Sequence, residues 1–326
     1  MRRLRTVYSL ASVLVVLLLT PIAGCGADMP PASRISPLED HGLRLVWRDH
    51  FADHLGDAPS AQVLYGEYGI LSAWKKFHSN ATSDHRIIAV APDGRPSLQF
   101  NVAKGNVPHD HTLSNHWTPG ITRAGLAVDV WIPHDFEFPS RCSPSSSSKH
   151  PGQGRWPIGL WIGGEPIKMA GGVPIPEQEG VSVRMNRGSW KDKTGQNASF
   201  SAYIYYLNRW RPQCYLDDVK CSPRCSYPAD PTGKCYGGGL QKKSGKTPRG
   251  RWVPIELEVK MNDEGRANGC VTFWVDGRQV DSGCGMDLGR DRGWLIRGIY
   301  TYQMWHCDGA PKDQKWWLSN IRLYAE

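Results

Sequence analysis

Short apolar runs bounded by Gly, Pro, Asn and Asp recur along this chain, and almost none keeps a period of 3.6 residues. They fall at Leu43–Trp47, Ser97–Val102, Gly125–Ile132, Gly159–Ile162, Val181–Asn186, Ser199–Leu207, Trp252–Met261, Gly269–Val275, Trp294–Tyr302 and Lys315–Tyr324. Many short strands with turn signals between them predict an all-β sandwich or barrel. Asp276-Gly277 lies between Cys270–Val275 and Arg278–Val280, a strong signal for a two-residue hairpin turn. The serine run 143–148, with Pro144 and Pro151, predicts a surface loop.

The first residues follow a different pattern. Arg2, Arg3 and Arg5 precede the apolar run Val13–Leu19, and Ile22-Ala-Gly-Cys25 follows. That order reads as an export signal. The cysteine placed directly after Ala-Gly reads as a bacterial lipobox, with cleavage before Cys25 and lipid on its sulfur. The polar, Pro-rich stretch 26–40 reads as a tether, and 41–326 as one domain with neither a second linker nor a repeat. The expectation is an exported lipoprotein anchored to the cell membrane and acting as a monomer.

Nine cysteines are present, and without Cys25 an even number remains, which in an exported chain predicts disulfides. Cys214, Cys221, Cys225 and Cys235 crowd a Pro-, Asp- and Gly-rich segment, as in a loop stapled to itself. Zinc is the less favoured reading there, because no histidine lies within the cluster. Cys270 and Cys284 flank the predicted hairpin and are candidates to pair. The formal charge of +8 includes the three arginines of the signal, and the remaining Lys and Arg are scattered. This suits an anionic partner without demanding one, and the chain carries no nucleic-acid-binding motif. Fourteen tryptophans add flat faces of the kind that stack on sugar rings, although most are expected in the core.

The candidate chemistry starts with Ser182-Val-Arg184 and Tyr203-Ile-Tyr205. Alternate strand residues share a face, so if these runs are neighbouring strands one surface carries a guanidinium, a hydroxyl and two phenols. The bland alternative is two ordinary half-buried strands, where Tyr is favoured in any case. His109-Asp-His111, with His116 nearby, has the make-up of a metal pair or a carboxylate neutraliser, but among Asn106, Pro108 and Asn115 it reads as a solvated turn rather than a metal site, with a cleft role for a histidine as the sharper alternative. Gln303 and His306 are candidate substrate contacts near the end of a predicted strand. Glycoside hydrolysis needs two positioned carboxylates; Glu177-x-Glu179 and Glu256-x-Glu258 are the nearest pieces and fit poorly.

Gly250–Asn262, then Gly265, Asn268-Gly269 and Val271-Thr-Phe-Trp-Val-Asp-Gly277, resemble a stretch of the alginate and glucuronan lyases of polysaccharide lyase family 14. Val128–Phe138, Gly163-Gly164 with Gly171-Gly172, Gly298-Ile-Tyr-Thr-Tyr302 and Trp316–Leu323 extend the resemblance in order, over most of 95–326. It implies a two-sheet β-jelly roll with a concave substrate cleft, no cofactor and no metal. It also implies an anionic 4-linked uronan as partner, cleaved by β-elimination. Ser182, Arg184, Tyr203 and Tyr205 match the family's cleft runs directly. The family's lysine does not: Glu165 follows the glycines, and Lys168 comes three residues later. Arg184 and Lys168 would neutralise the sugar carboxylate, the tyrosines would move protons, and Ser182, His109, His111, Gln303 and His306 would hold substrate. The alternative on the same fold is a non-catalytic, lectin-like glycan-binding protein.

Overall fold

The computed structural model describes residues 35–49, 51, 75–76, 86–105, 109–137, 154–155, 158–164, 179–188, 199–207, 238–240, 244–305 and 310–326. The expectation of an all-β sandwich holds: these residues form two antiparallel eight-stranded sheets. The first contains β1 (Arg44–Asp49), β3 (Arg86–Val90), β4 (Pro96–Val102), β6 (Arg123–Trp131), β12 (Trp252–Lys260), β13 (Gly269–Val275), β14 (Arg278–Met286) and β16 (Gln314–Ala325). The second contains β2 (Lys75–Lys76), β5 (His109–Ile121), β7 (Gly154–Arg155), β8 (Ile158–Gly163), β9 (Gly180–Gly188), β10 (Ser199–Ile204), β11 (Gly238–Gly239) and β15 (Leu295–Trp305).

Alternation decides which side chains meet between the sheets. From the first sheet, Leu126, Val128 and Val130 of β6 and Ile255, Leu257 and Val259 of β12 point inward. Leu160 and Ile162 of β8, Val181, Val183 and Met185 of β9, and Phe200, Ala202 and Ile204 of β10 meet them from the second. Removing such surface from water stabilises by roughly 25 cal/mol per Å², and this core pins the register. A one-residue slip would turn every apolar side chain outward. The residues between them, Ser182 and Arg184 on β9 and Tyr203 on β10, are therefore committed to the opposite face.

All ten strands expected from the apolar runs are present, most with shifted ends. One expectation fails. His109–Ile121 is a 13-residue strand, not a solvated turn, and it pairs with β15 along nearly its whole length. Its polar composition hid it, because pairing and packing rather than intrinsic propensity decide strand formation there.

The described compact unit begins at Ser36, inside the stretch whose composition reads as a tether. Ser36 caps the short helix α1 (Pro37–Asp40), its Oγ accepting from the Leu38 N–H at 3.2 Å and donating to Glu256 Oε2 at 2.6 Å. Leu38 packs with Leu43, Ala127, Trp274 and Tyr324 on the outward face of the first sheet. Gly125 leaves the room: a Cβ there would lie 2.7 Å from a Leu38 methyl.

Asp276 (φ 57°) and Gly277 (φ 69°) form the predicted tight turn between β13 and β14. Cys270 and Cys284 on the same two strands are disulfide-bonded across a sequence separation of 14. A loop of that length is worth about 3 kcal/mol in chain entropy. The Cys270→Ser/Cys284→Ser variant should lose up to that amount in denaturant unfolding, with elements away from this edge unaffected. A variant as stable as the wild type would show that the bridge adds nothing. The other cysteines lie outside the described residues.

Candidate functional site

Four of the sequence-predicted residues come together on the outward face of the second sheet. Tyr203 is paired directly with Arg184 across β10 and β9, and the Tyr205 N–H donates to the Ser182 carbonyl at 2.9 Å, continuing that register by two residues. Antiparallel pairing places facing residues on one side, so both tyrosines lie beside the Ser-x-Arg run.

The same register extends across three more strands. Arg184 faces Gly159 of β8, which faces Tyr300 of β15, while Ser182 faces Trp161, which faces Gly298 and then His116 of β5. Bulky and small residues alternate along these two cross-strand rows. A Cβ on Gly159 would lie 2.9 Å from the Val183 carbonyl oxygen and 3.2 Å from Arg184 Cγ. One on Gly298 would lie 2.9 Å from His116 Cδ2 and from the Asn115 carbonyl oxygen. The glycines thus make the space that the arginine and the imidazole occupy.

At the centre is Arg184, only 2% exposed. Its Nε donates to Ser182 Oγ at 3.0 Å, and its guanidinium lies 5.0 Å from the centroid of Tyr205 and 5.6 Å from that of Tyr300. Tyr203 and Tyr205 meet edge to face at 5.3 Å. Trp161 contacts the Tyr300 ring at 5.6 Å and the His116 ring at 5.1 Å. A buried cation is costly unless groups of opposite polarity surround it, and here ring faces and a hydroxyl do so.

Burial pushes the Tyr300 phenol above its ordinary range, because a phenolate there would lose its water. The Arg184 charge and hydrogen bonding with Ser182 and Arg184 pull the other way without overcoming it, and Tyr205 adds to the rise. Tyr300 is thus held as a protonated phenol at neutral pH, a donor beside a guanidinium.

His109 pairs with Met304 and His111 with Tyr302, which moves both from the expected loop onto a strand of this sheet. Gln303 lies on β15 opposite Asp110. For 109–114 and 302–305 only the backbone is described. Lys168, Glu165, Glu177, His306 and Cys25 lie outside the described residues.

Sequence reasoning missed Tyr300 and Trp161 as members of this layer; His116, weighed with His109 and His111 for a cleft role, joins it from β5. Gly298-Ile-Tyr300 carries the same i, i+2 signal as the two chosen runs, but only pairing shows that it belongs beside them. Glu256 and Glu258 are far from the layer: they occupy the outward face of the first sheet. There Glu256 accepts from Ser36, while Glu258 binds His41 Nδ1 at 2.7 Å and Arg123 Nε at 2.8 Å. They clamp the N-terminal segment. Among the described residues no group of three or more His, Cys, Asp or Glu side chains is arranged to hold a metal.

No protein-family model matches the chain, and no curated protein matches it in sequence. Solved structures do. The alginate lyase vAL-1 from Chlorella virus aligns at 18% identity and a TM-score of 0.52, over 80% of this chain and 94% of its own. The alginate lyase Aly36B, as a mutant in complex with an alginate trisaccharide, aligns at 17% and 0.56, over 86% and 98%. The marine PL-14 alginate lyase from Aplysia kurodai aligns at 15% and 0.53, over 87% and 100%. This chain therefore has the two-sheet β-jelly-roll fold that these polysaccharide lyases share.

Proposed function

We propose that this protein is an exported, lipid-anchored lyase that cleaves a 4-linked uronan of the alginate or glucuronan type by β-elimination. The observation that carries the reading is Arg184, held between Tyr205 and Tyr300 with Tyr203 directly across the strand pair.

Elimination removes the proton on C5 of the uronic acid, beside its carboxylate. The C–H electron pair becomes the C4=C5 double bond, and the C4–O bond to the next sugar breaks. Two barriers must be lowered. The carboxylate's own charge opposes carbanion formation, and an alkoxide is a poor leaving group. Arg184 addresses the first by donating two parallel hydrogen bonds to the carboxylate as negative charge builds up on it. Its surroundings exclude water, so the interaction is stronger than it would be in solution. Tyr300, held protonated by burial, addresses the second by giving its proton to the departing oxygen. Tyr205 or Tyr203 is then the base at C5, with Arg184 stabilising the phenolate. Ser182 fixes the guanidinium. Trp161, itself buried, packs against Tyr300 and His116 and holds both rings in place.

The test is direct. The purified protein is incubated with polymannuronate, polyguluronate and polyglucuronate while ultraviolet absorbance from the new C4=C5 bond is followed. Absorbance should rise on at least one of them, with chain scission. Binding to a uronan without any rise on all three would instead favour the glycan-binding alternative.

A further inference from the structure

On the opposite side of the sandwich, the outward face of the first sheet carries a row of tryptophans that the proposed elimination does not use. Trp252 of β12 pairs with Trp131 of β6, Trp131 with Trp317 of β16, and Trp317 with Gln99 of β4. Their strand neighbours Val253, Val130 and Leu318 lie in the core between the sheets, so by alternation the indoles take the other face. Adjacent strands are about 4.8 Å apart, so three strands give a row about 10 Å long. Trp131 and Trp252 are only partly buried.

The rings are held in place. The Trp252 indole N–H donates to Asp93 Oδ2 at 2.7 Å, and the Arg95 guanidinium covers one of its faces at 4.5 Å. Trp131 meets Trp252 edge to face at 5.6 Å. The Trp317 N–H donates to Gln99 Oε1 at 3.1 Å, and Gln99 Nε2 donates to Asn101 Oδ1 at 2.7 Å. With its carbonyl thus engaged, the Asn101 side chain has its NH₂ left to donate.

Beside Trp317 opens a cleft of about 600 Å³, lined also by Asn101, Phe136, Asp135, Asp313 and Lys315. That volume lies within the range of small-molecule sites. Its walls come from separate segments that are tied together: Gln314 bonds both backbone groups of Glu137, at 2.7 and 2.8 Å, and Lys312 bridges to Asp135 at 3.2 Å. The cleft is therefore preformed.

We infer that this cleft and the half-buried indoles of Trp131 and Trp252 beside it form a second glycan-binding site, which takes uncharged pyranose units. The cleft's own rings, Trp317 and Phe136, are 7% and 1% exposed, so the aromatic face comes from the half-buried Trp131 and Trp252 on the neighbouring strands. Together with the amide, carboxylate and ammonium groups of the cleft, that face suits a ring that presents apolar C–H faces and equatorial hydroxyls. Two carboxylates and one ammonium line the cleft, so it has no cationic surplus to attract a uronate, unlike the layer around Arg184. The site would hold the protein on neutral polysaccharide lying alongside its substrate. This assignment does not depend on the elimination reading.

Isothermal calorimetry on the full chain with neutral β-1,4-glucan, β-1,3-glucan and mannan hexasaccharides tests it, with a uronan hexasaccharide for comparison. At least one neutral hexasaccharide should bind. Trp131→Ala should weaken that binding about tenfold or more, and Asn101→Ala, a milder change, should weaken it too. Arg184→Ala should leave it unchanged. Absence of binding to every neutral probe, or binding indifferent to both outward-face variants, would overturn the inference. So would uronate binding that Trp131→Ala alone abolishes, because the ligand class would then be wrong. Absorbance on uronans reads the other face separately, so failure of one assignment leaves the other standing.

Discussion

Replacing the base tyrosine by Phe should lower turnover on the susceptible uronan by about 10²–10⁴-fold with little change in KM, the usual contribution of a positioned proton-transfer group. Tyr205→Phe and Tyr203→Phe each keep the ring, and with it the edge-to-face contact at 5.3 Å, so the fold should survive. The larger loss identifies the base. Tyr300→Phe should cost a similar factor, because no phenol then protonates the leaving oxygen. It carries a further signature. The acid must be protonated to act, so activity should fall as pH rises through its pKa, which burial places above the ordinary phenol range. Tyr300→Phe should remove that alkaline limb from the pH profile of kcat. Near-wild-type turnover in all three variants would place the chemistry elsewhere.

Arg184→Ala should reduce kcat by about 10²–10³-fold, the cost of losing a donor that faces developing charge, and should raise KM as well. The carboxylate contact exists before the elimination and strengthens during it, so both parameters carry part of the loss. Arg184→Lys keeps the charge but loses the two-pronged geometry, and should recover only part of the activity. A purely structural arginine predicts otherwise. Its removal would leave a cavity between Tyr205 and Tyr300 and lower the melting temperature, while each folded molecule turned over normally. Steady-state kinetics alongside thermal unfolding separates the two, and unchanged kcat in folded Arg184→Ala would sink the assigned role. The same comparison on Lys168→Ala asks whether that lysine adds a second positive charge.

The strands were legible where each carried its own signal. β6 and β12 announce themselves because apolar residues recur every second position, and the β13–β14 turn because Asp-Gly accepts the required positive φ. The pairing of Cys270 with Cys284 could be suspected because that turn brings the two flanking runs together. β5 gave no such sign. Its His, Asp, Thr, Ser and Asn residues look like a loop, and only the long hydrogen-bonded partner β15 makes them a strand.

The site divides along the same line. Ser182 and Arg184, and likewise Tyr203 and Tyr205, share a face by local geometry alone, so their grouping within each run could be read from the chain. That β9 lies beside β10 in the register that sets Tyr203 against Arg184 is a long-range fact. So is the arrival of Tyr300, Trp161 and His116 from β15, β8 and β5. Period-two alternation is a property of one strand and is written in its residues. Which strands meet, and in what register, is decided by the burial of the whole core, and it was that burial which placed a guanidinium between two phenols.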